Sequence, residues 1–180
     1  ASVKLGPSRW WSIFLNTLAD DMIYQQISAQ CGGIKWISHG LVFWGFLALA
    51  ASTTINYITN PSGEWLPLTN IVRVLGNLGG VMVLLGLAIV IYRAQMDENK
   101  RTYTFATDYF FITLLLLATL TGFLTEFAGE LNAVEWVYGV YVVHLVSSAA
   151  LLLLAPFTRF IHAFGWPVIK LSERYLEALS

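Results

Sequence analysis

Residues 68–92 read LTNIVRVLGNLGGVMVLLGLAIVIY, with Arg73 as the one charge in the run. A helix of that length is about 37 Å long at 1.5 Å per residue. The hydrocarbon layer of a bilayer is about 30 Å thick, so the run is long enough to cross it. Three further stretches have the same character: roughly Trp36–Ile58, Ala106–Ala128 and Ala133–Phe157, the last able to run on to about Phe164. A backbone inside lipid must satisfy its own hydrogen bonds, which an isolated helix does. The pattern therefore predicts an all-α membrane protein, a bundle of four transmembrane helices.

The composition agrees. Apolar residues make up 57% of the 180 and charged residues 12%, whereas a soluble domain carries about 25% charge. Mean hydropathy is +0.64. A net charge of −1 offers nothing to a nucleic-acid backbone. The single cysteine, Cys31, excludes an internal disulfide and any thiolate metal or iron–sulfur site built by this chain alone. It reads as a small buried or interfacial hydrophobe. The opening ASVKLGPSRWW has no apolar stretch after its basic residues and is not read as a signal peptide. There is no internal repeat and no low-complexity segment. The expected division is an interfacial segment 1–33, a membrane domain 34–165 and a tail 166–180.

The connections set an orientation. Neither Asn60-Pro61-Ser62-Gly63-Glu64 nor Ala128-Gly129-Glu130-Leu131-Asn132 carries Lys or Arg. Lys4, Arg9, Lys35, Arg93, Lys100, Arg101, Arg159, Lys170 and Arg174 all fall on the other side, which the positive-inside rule makes cytoplasmic. Both termini are then expected inside, in a multi-pass protein of the cell (inner) membrane. Residues 9–30 place Trp10, Trp11, Phe14, Leu15, Leu18, Met22 and Ile23 at helical spacing, with Asp20 and Asp21 on another face. That predicts an N-terminal amphipathic helix lying in the lipid interface. Residues 167–180 can form a second one. Trp36, Trp65, Trp136 and Trp166 stand near span ends, where an aromatic belt sits.

The polar residues inside these spans carry the functional signal, because each is expensive there. His39 lies about one turn inside the first span, His144 in the upper fourth span and His162 at that span's cytoplasmic end. His144 and His162 are eighteen residues apart, five whole turns, so they share a face about 27 Å apart along the axis. One metal or haem cannot bridge them, but two stacked sites can. His39 and His162 match in depth and can face each other across one haem iron, for which imidazole is a usual axial ligand. Spacing leaves three readings open: haem ligation, a packing or interfacial place, and a proton or ion path.

Gly76, Gly79, Gly80 and Gly86 in the second span, with Gly122 in the third, suit close helix packing and equally leave room for a porphyrin face. Arg73, the basic residue on the outer side, can pair with a haem propionate or a quinone oxygen, or snorkel to the headgroups. Arg159 can serve an inner propionate or the lipid surface. Asp108 suits a helix N-terminus. Glu126, near the outer end of the third span, either takes a proton from a quinol or is simply solvated.

These residues fall in runs that resemble a known family. Val143-His144-Leu145-Val146 and then LLLLAPFTRFIHAFGWPVIKLSERY, ending at Tyr175, look like the last span of the gamma subunit of respiratory nitrate reductase. That span has a histidine, a Pro-Phe-Ser-Arg/Lys element and a second histidine at the same separation. SHGLVFWGFLAL (38–49) resembles the family's ligand-bearing helix. TFATDYFFITLLLLATLTGFL (104–124) resembles its next-to-last span, and GGVMVLLGLAIVIYR (79–93) the one before. The resemblance covers roughly residues 30–176 and is most specific over 144–175.

The resemblance implies a diheme cytochrome b that moves electrons between a membrane quinone pool (menaquinone or another quinone) and an iron–sulfur subunit docked on one face, itself serving a catalytic subunit. Relatives serve heterodisulfide reductases, sulfite-reduction complexes and some hydrogenases. Carried over, the inner haem b keeps two ligands, His39 and His162, and the outer keeps His144. Two departures stand out. The family's fifth, N-terminal span has no counterpart, residues 9–30 standing in its place. The position of the outer haem's second ligand is Leu49, which cannot bind iron. The outer haem is then five-coordinate, borrows a ligand (Met82 is the in-chain candidate) or is absent; the reading adopted keeps a haem at His144. The implied cofactor-binding set is His39, His144, His162, Arg73, Arg159, Gly76 and Gly80, with Glu126 and Arg73 at the quinone. The chain is thus expected to be a membrane anchor and electron-transfer subunit. The rivals are a cytochrome b of the hydrogenase and formate dehydrogenase type, and a haem-free scaffold or transporter.

Overall fold

The computed structural model describes residues 7–17, 19, 33–96, 106–157 and 161–178, without the side chains of 7, 106–108, 134, 161–164, 166 and 167. Its helices are α1 (Pro7–Thr17), α2 (Gly33–Thr59), α3 (Ile71–Met96), α4 (Ala106–Glu130), α5 (Val134–Leu154), a 3₁₀ turn at Ala155–Phe157, and α6 (Ile161–Glu177). Four of the described stretches are long and apolar enough to cross a membrane: Gly33–Thr59, Ile71–Met96, Tyr109–Glu130 and Glu135–Phe157. The chain is a multi-pass, all-α membrane protein, as the hydropathy predicts. It divides into two compact units, one from the chain ends (up to Trp36 and from Ala155) and one over Ile37–Leu154.

The Ile37–Leu154 unit is built on small residues. Antiparallel α2 and α3 approach so closely at Gly45 and Gly79 that a Cβ on Gly45 would lie 2.7 Å from the Gly79 carbonyl oxygen. The reverse substitution would lie 2.8 Å from the Gly45 oxygen. Helix association in lipid has no hydrophobic drive and depends on such contact. Along the same seam the Ser52 hydroxyl donates to the Val72 carbonyl at 2.7 Å. The core is Val83, Leu87, Leu115 and Leu151, while Leu78, Leu85, Leu124, Phe127, Val142 and Val146 are exposed, as a lipid-facing surface requires.

Local chemistry sets the helix ends. Asn70 caps α3, its Oδ1 accepting from the Val72 amide at 2.9 Å. The α4–α5 connection is a tight hairpin. Asn132 takes φ 51°, its amide donates to the Gly129 carbonyl at 3.0 Å, and the Ala133 amide donates to the Ala128 carbonyl at 3.0 Å. This is a Schellman closure with Asn in the left-handed position usually given to Gly. It lays α5 back along α4 and thereby brings His144 to α4.

In the other unit, α1 gathers aromatics on one side: Trp10 stacks on Phe14 with centroids 5.4 Å apart. Arg174 of α6 donates to the buried Thr17 hydroxyl of α1 at 3.3 Å. The helix expected over residues 9–30 is observed as Pro7–Thr17, and residues 18 and 20–32, with Cys31, lie outside the described residues.

Candidate functional site

His144 sits mid-helix on α5 and turns its ring onto α4. Nδ1 lies 2.8 Å from the Ala118 carbonyl oxygen. A carbonyl only accepts, so Nδ1 carries the proton and Nε2 presents its lone pair. Thr121 Oγ1, at 3.4 Å, is a second and longer neighbour of Nδ1. Among the described residues nothing hydrogen-bonds to Nε2. The ring fits because residue 122 is glycine: a Cβ there would stand 3.2 Å from Cε1.

The ring borders a cavity of about 450 Å³ lined from all four helices of this unit. That size lies within the roughly 300–1,000 Å³ of small-molecule and cofactor sites. Phe46, Leu49, Ala50, Thr53 and Thr54 face it from α2, and Gly76, Asn77 and Gly80 from α3. Leu115, Ala118, Thr119, Gly122, Phe123 and Glu126 face it from α4, and His144, Leu145, Ser148, Leu151 and Leu152 from α5. The Thr54 and Thr119 hydroxyls turn back to their own helix, onto Ala50 and Leu115 carbonyls at 2.8 Å each, so the walls are largely apolar.

One end of the cavity is charged. Glu126 Oε1 accepts from Arg73 Nε at 3.0 Å, from Arg73 Nη2 at 2.6 Å and from Asn77 Nδ2 at 2.9 Å. Arg73 Nη1 donates to Glu130 Oε1 and to the Leu66 carbonyl, both at 2.6 Å. Trp65 Nε1 donates to the same Glu130 oxygen at 3.2 Å, and the Arg73 guanidinium lies 4.8 Å from the centre of the Trp65 ring. Arg73, expected at a propionate, a quinone or the headgroups, is thus held by two carboxylates.

The structure brings His144, Gly76, Gly80 and Glu126 to one cavity, with Arg73 bonded to Glu126 behind them. His39 lies on α2 with its exposed ring parallel to Phe43, centroids 6.4 Å apart. The His162 and Asp108 side chains and all of Arg159 lie outside the described residues. Sequence reasoning missed Asn77, Glu130 and the Ala118 carbonyl. The first two had a signal: Arg73 and Asn77 are four apart on one helix, Glu126 and Glu130 four apart on another, and each pair shares a face.

The residues fit a haem on two counts. His144 offers a bare imidazole nitrogen whose ring is fixed by its other N–H, the usual arrangement of a metal-bound histidine. The walls are otherwise mostly apolar. Among the described residues no three His, Cys, Asp or Glu side chains converge as a metal site of their own.

Fold and site together define a polytopic helical-bundle membrane protein with a cofactor-sized cavity between its spans. Residues 67–139 match the sequence model of the nitrate reductase gamma subunit family, and over that stretch the chain is similar to the nitrate reductase gamma subunits. It is similar to a subunit of dihydromethanophenazine:CoB–CoM heterodisulfide reductase from Methanosarcina thermophila, 24% identical over 89% of this chain and 66% of that protein. It is also similar to the respiratory nitrate reductase 1 gamma chain of Escherichia coli, 26% identical over 62% of each chain, and to citrate utilization protein B of Escherichia coli, 29% identical over 70% of this chain and 34% of that protein. The chain spans about two thirds of the length of the heterodisulfide reductase subunits it matches. No solved structure matches it.

Proposed function

We propose that the chain is a membrane electron-transfer subunit of a respiratory oxidoreductase and that its Ile37–Leu154 bundle holds a b-type haem on His144. The observation that carries the reading is the His144 ring, tied through Nδ1 to the Ala118 carbonyl and bare at Nε2 beside a glycine-walled cavity. A haem bound there supplies reversible one-electron transfer at its iron. His144 would hold that group through Nε2. The Ala118 carbonyl fixes the tautomer and the orientation of the ring. Gly122 makes room for the His144 ring, and Gly80 for the Phe123 ring. Leu49 lines the same cavity with no donor atom and Met82 does not line it, so His144 is the residue of these walls that would hold the haem.

The reading extends to a second haem on His39 and His162, with Arg159 near a propionate. The electron donor or acceptor in the membrane is a two-electron ring carrier, a quinone or a phenazine; one relative carries dihydromethanophenazine in its name. The partner is an iron–sulfur subunit on the cytoplasmic side, where the basic loops and both termini lie, joined to the catalytic subunit of the complex. The direction of electron flow belongs to that partner.

A pyridine haemochrome spectrum of the purified chain tests this. A b-type spectrum is expected, with a high-spin signal in oxidised paramagnetic resonance that His144→Ala removes and a low-spin signal that His39→Ala removes. Absence of both a Soret band and iron from the wild type overturns it.

A further inference from the structure

We propose that Glu126 is the proton acceptor for a reduced ring carrier with an acidic O–H or N–H, a hydroquinone or a dihydrophenazine, and that Glu130 is the counter-charge that lets Glu126 change protonation. The proposal rests on the electron-transfer reading above and deepens it. Glu126 lies one helical turn beyond Gly122 and two beyond Ala118 on the same face of α4, about 6 and 12 Å along the axis. It therefore meets the cavity at a level apart from His144. All three of its hydrogen bonds converge on Oε1. Among the described residues Oε2 has no partner, and it belongs to a side chain that lines the cavity.

Charge decides what this carboxylate can do. A lone Arg–Glu pair at this depth resists protonation, because neutralising the glutamate strands a guanidinium in a poor solvent for charge. Here one guanidinium, its side chain 10% exposed, is shared by two carboxylates, Glu126 at 23% and Glu130 at 41%. A proton on Glu126 takes the cluster from net −1 to neutral, and Arg73 keeps Glu130. The groups bearing on Glu126 are Arg73 from α3, Glu130 from its own helix and His144 from α5; the α2 residues lining the cavity are uncharged. Glu130 is the more exposed of the two carboxylates and the last residue of α4.

The step balances as follows. Oxidation of one reduced ring releases two protons and two electrons, and the electrons reduce two ferric haems b to ferrous, one each, the haem on His144 and the second haem proposed on His39 and His162. For each proton an X–H bond of the ring breaks as an O–H bond forms at Glu126 Oε2, and that proton leaves to water before the next is taken.

The test uses the full haem-loaded chain in lipid nanodiscs. Haem reduction by a short-chain menaquinol and, separately, by a dihydrophenazine is followed by stopped flow. Infrared difference spectra seek the C=O band of a protonated carboxyl after ring oxidation. Glu126→Gln keeps the acceptor for Arg73 and Asn77. It is expected to slow reduction about 100-fold or more, as loss of a general base does, and to lack the band. Slowing with one ring only assigns the carrier to that class. Glu130→Gln is expected to keep the band and lose about tenfold in rate, the size of one charged hydrogen-bond partner, and Glu130→Asp to restore it. Glu126→Gln at wild-type rate, or with the band intact, overturns the proposal while leaving a haem protein. A wild type without a Soret band overturns the electron-transfer reading and this proposal with it.

Discussion

His144 is placed by backbone atoms, and that makes it testable through its neighbour. A Cβ at position 122 would press on Cε1 at 3.2 Å, tight enough that the imidazole must give way. Gly122→Ala is expected to weaken the Nδ1–Ala118 bond and to lower haem affinity about tenfold, within the 10–100-fold range for partners of metal-bound histidines. Gly122→Leu is expected to abolish haem binding with helix content unchanged. Haem titration of the apoprotein, with circular dichroism as control, measures both, and undiminished affinity in Gly122→Leu would place the haem elsewhere. At this scale the sequence was informative wherever a polar residue interrupted an apolar run: His144, Arg73 and Glu126 stood out for that reason. It was silent on what those residues bind. The Ala118 carbonyl has no side chain to advertise it. Arg73 looks free on a helical wheel, and only the antiparallel register of α3 and α4 shows that Glu126 and Glu130 occupy it.

The helices themselves were legible because lipid imposes one rule on every residue facing it, and hydropathy reads that rule directly. Their ends were less so. The second span was expected from Leu68, but the Asn70 side chain caps the helix and sets its start at Ile71. The fourth was expected to Phe157. Its α-helix stops at Leu154, with a 3₁₀ turn over Ala155–Phe157, because Pro156 has no N–H to continue the ladder. Packing at this scale depends on the glycine seam. A methyl on Gly45 meets backbone, the Gly79 oxygen at 2.7 Å, which cannot swing aside. Gly45→Ala is therefore expected to force α2 from α3 and to cost about 1–3 kcal/mol. Gly139, with nothing within 4 Å of its would-be Cβ, is the control: Gly139→Ala is expected to be neutral or to gain up to about 1 kcal/mol in helix propensity. Unfolding in mixed micelles by a denaturing detergent compares the two. Equal stabilities would mean that the seam is not the contact holding these helices.

For the whole molecule, the decisive number is that four stretches are built to cross the membrane. If all four cross, the connections at 60–70 and 131–133 share one face, and the proposed topology puts residues 97–105 and both chain ends on the other. Arg73 is held within the Glu126–Glu130 network rather than left among the headgroups, so the face of the two short loops presents no free Lys or Arg among its described residues. In the proposed topology the remaining nine basic residues of the sequence lie toward the opposite face. Lysine and arginine retained on one side during insertion fix that side as cytoplasmic. The expected outcome is measurable with single cysteines in a Cys31→Ser background. Ser62→Cys in the 60–70 connection should react with a membrane-impermeant maleimide in intact cells. Lys100→Cys and Ser180→Cys should react only after the membrane is opened. Labelling of Ser62→Cys and Lys100→Cys from the same side would break the four-span topology. Labelling of Lys100→Cys alone from outside would invert it and move the Glu126–Glu130 end of the cavity to the cytoplasm. Protons taken by Glu126 would then be released inside, and ring oxidation at that end would add nothing to a transmembrane proton gradient. The orientation thus determines whether electron transfer through this protein conserves energy, which gives the labelling result a consequence beyond topology.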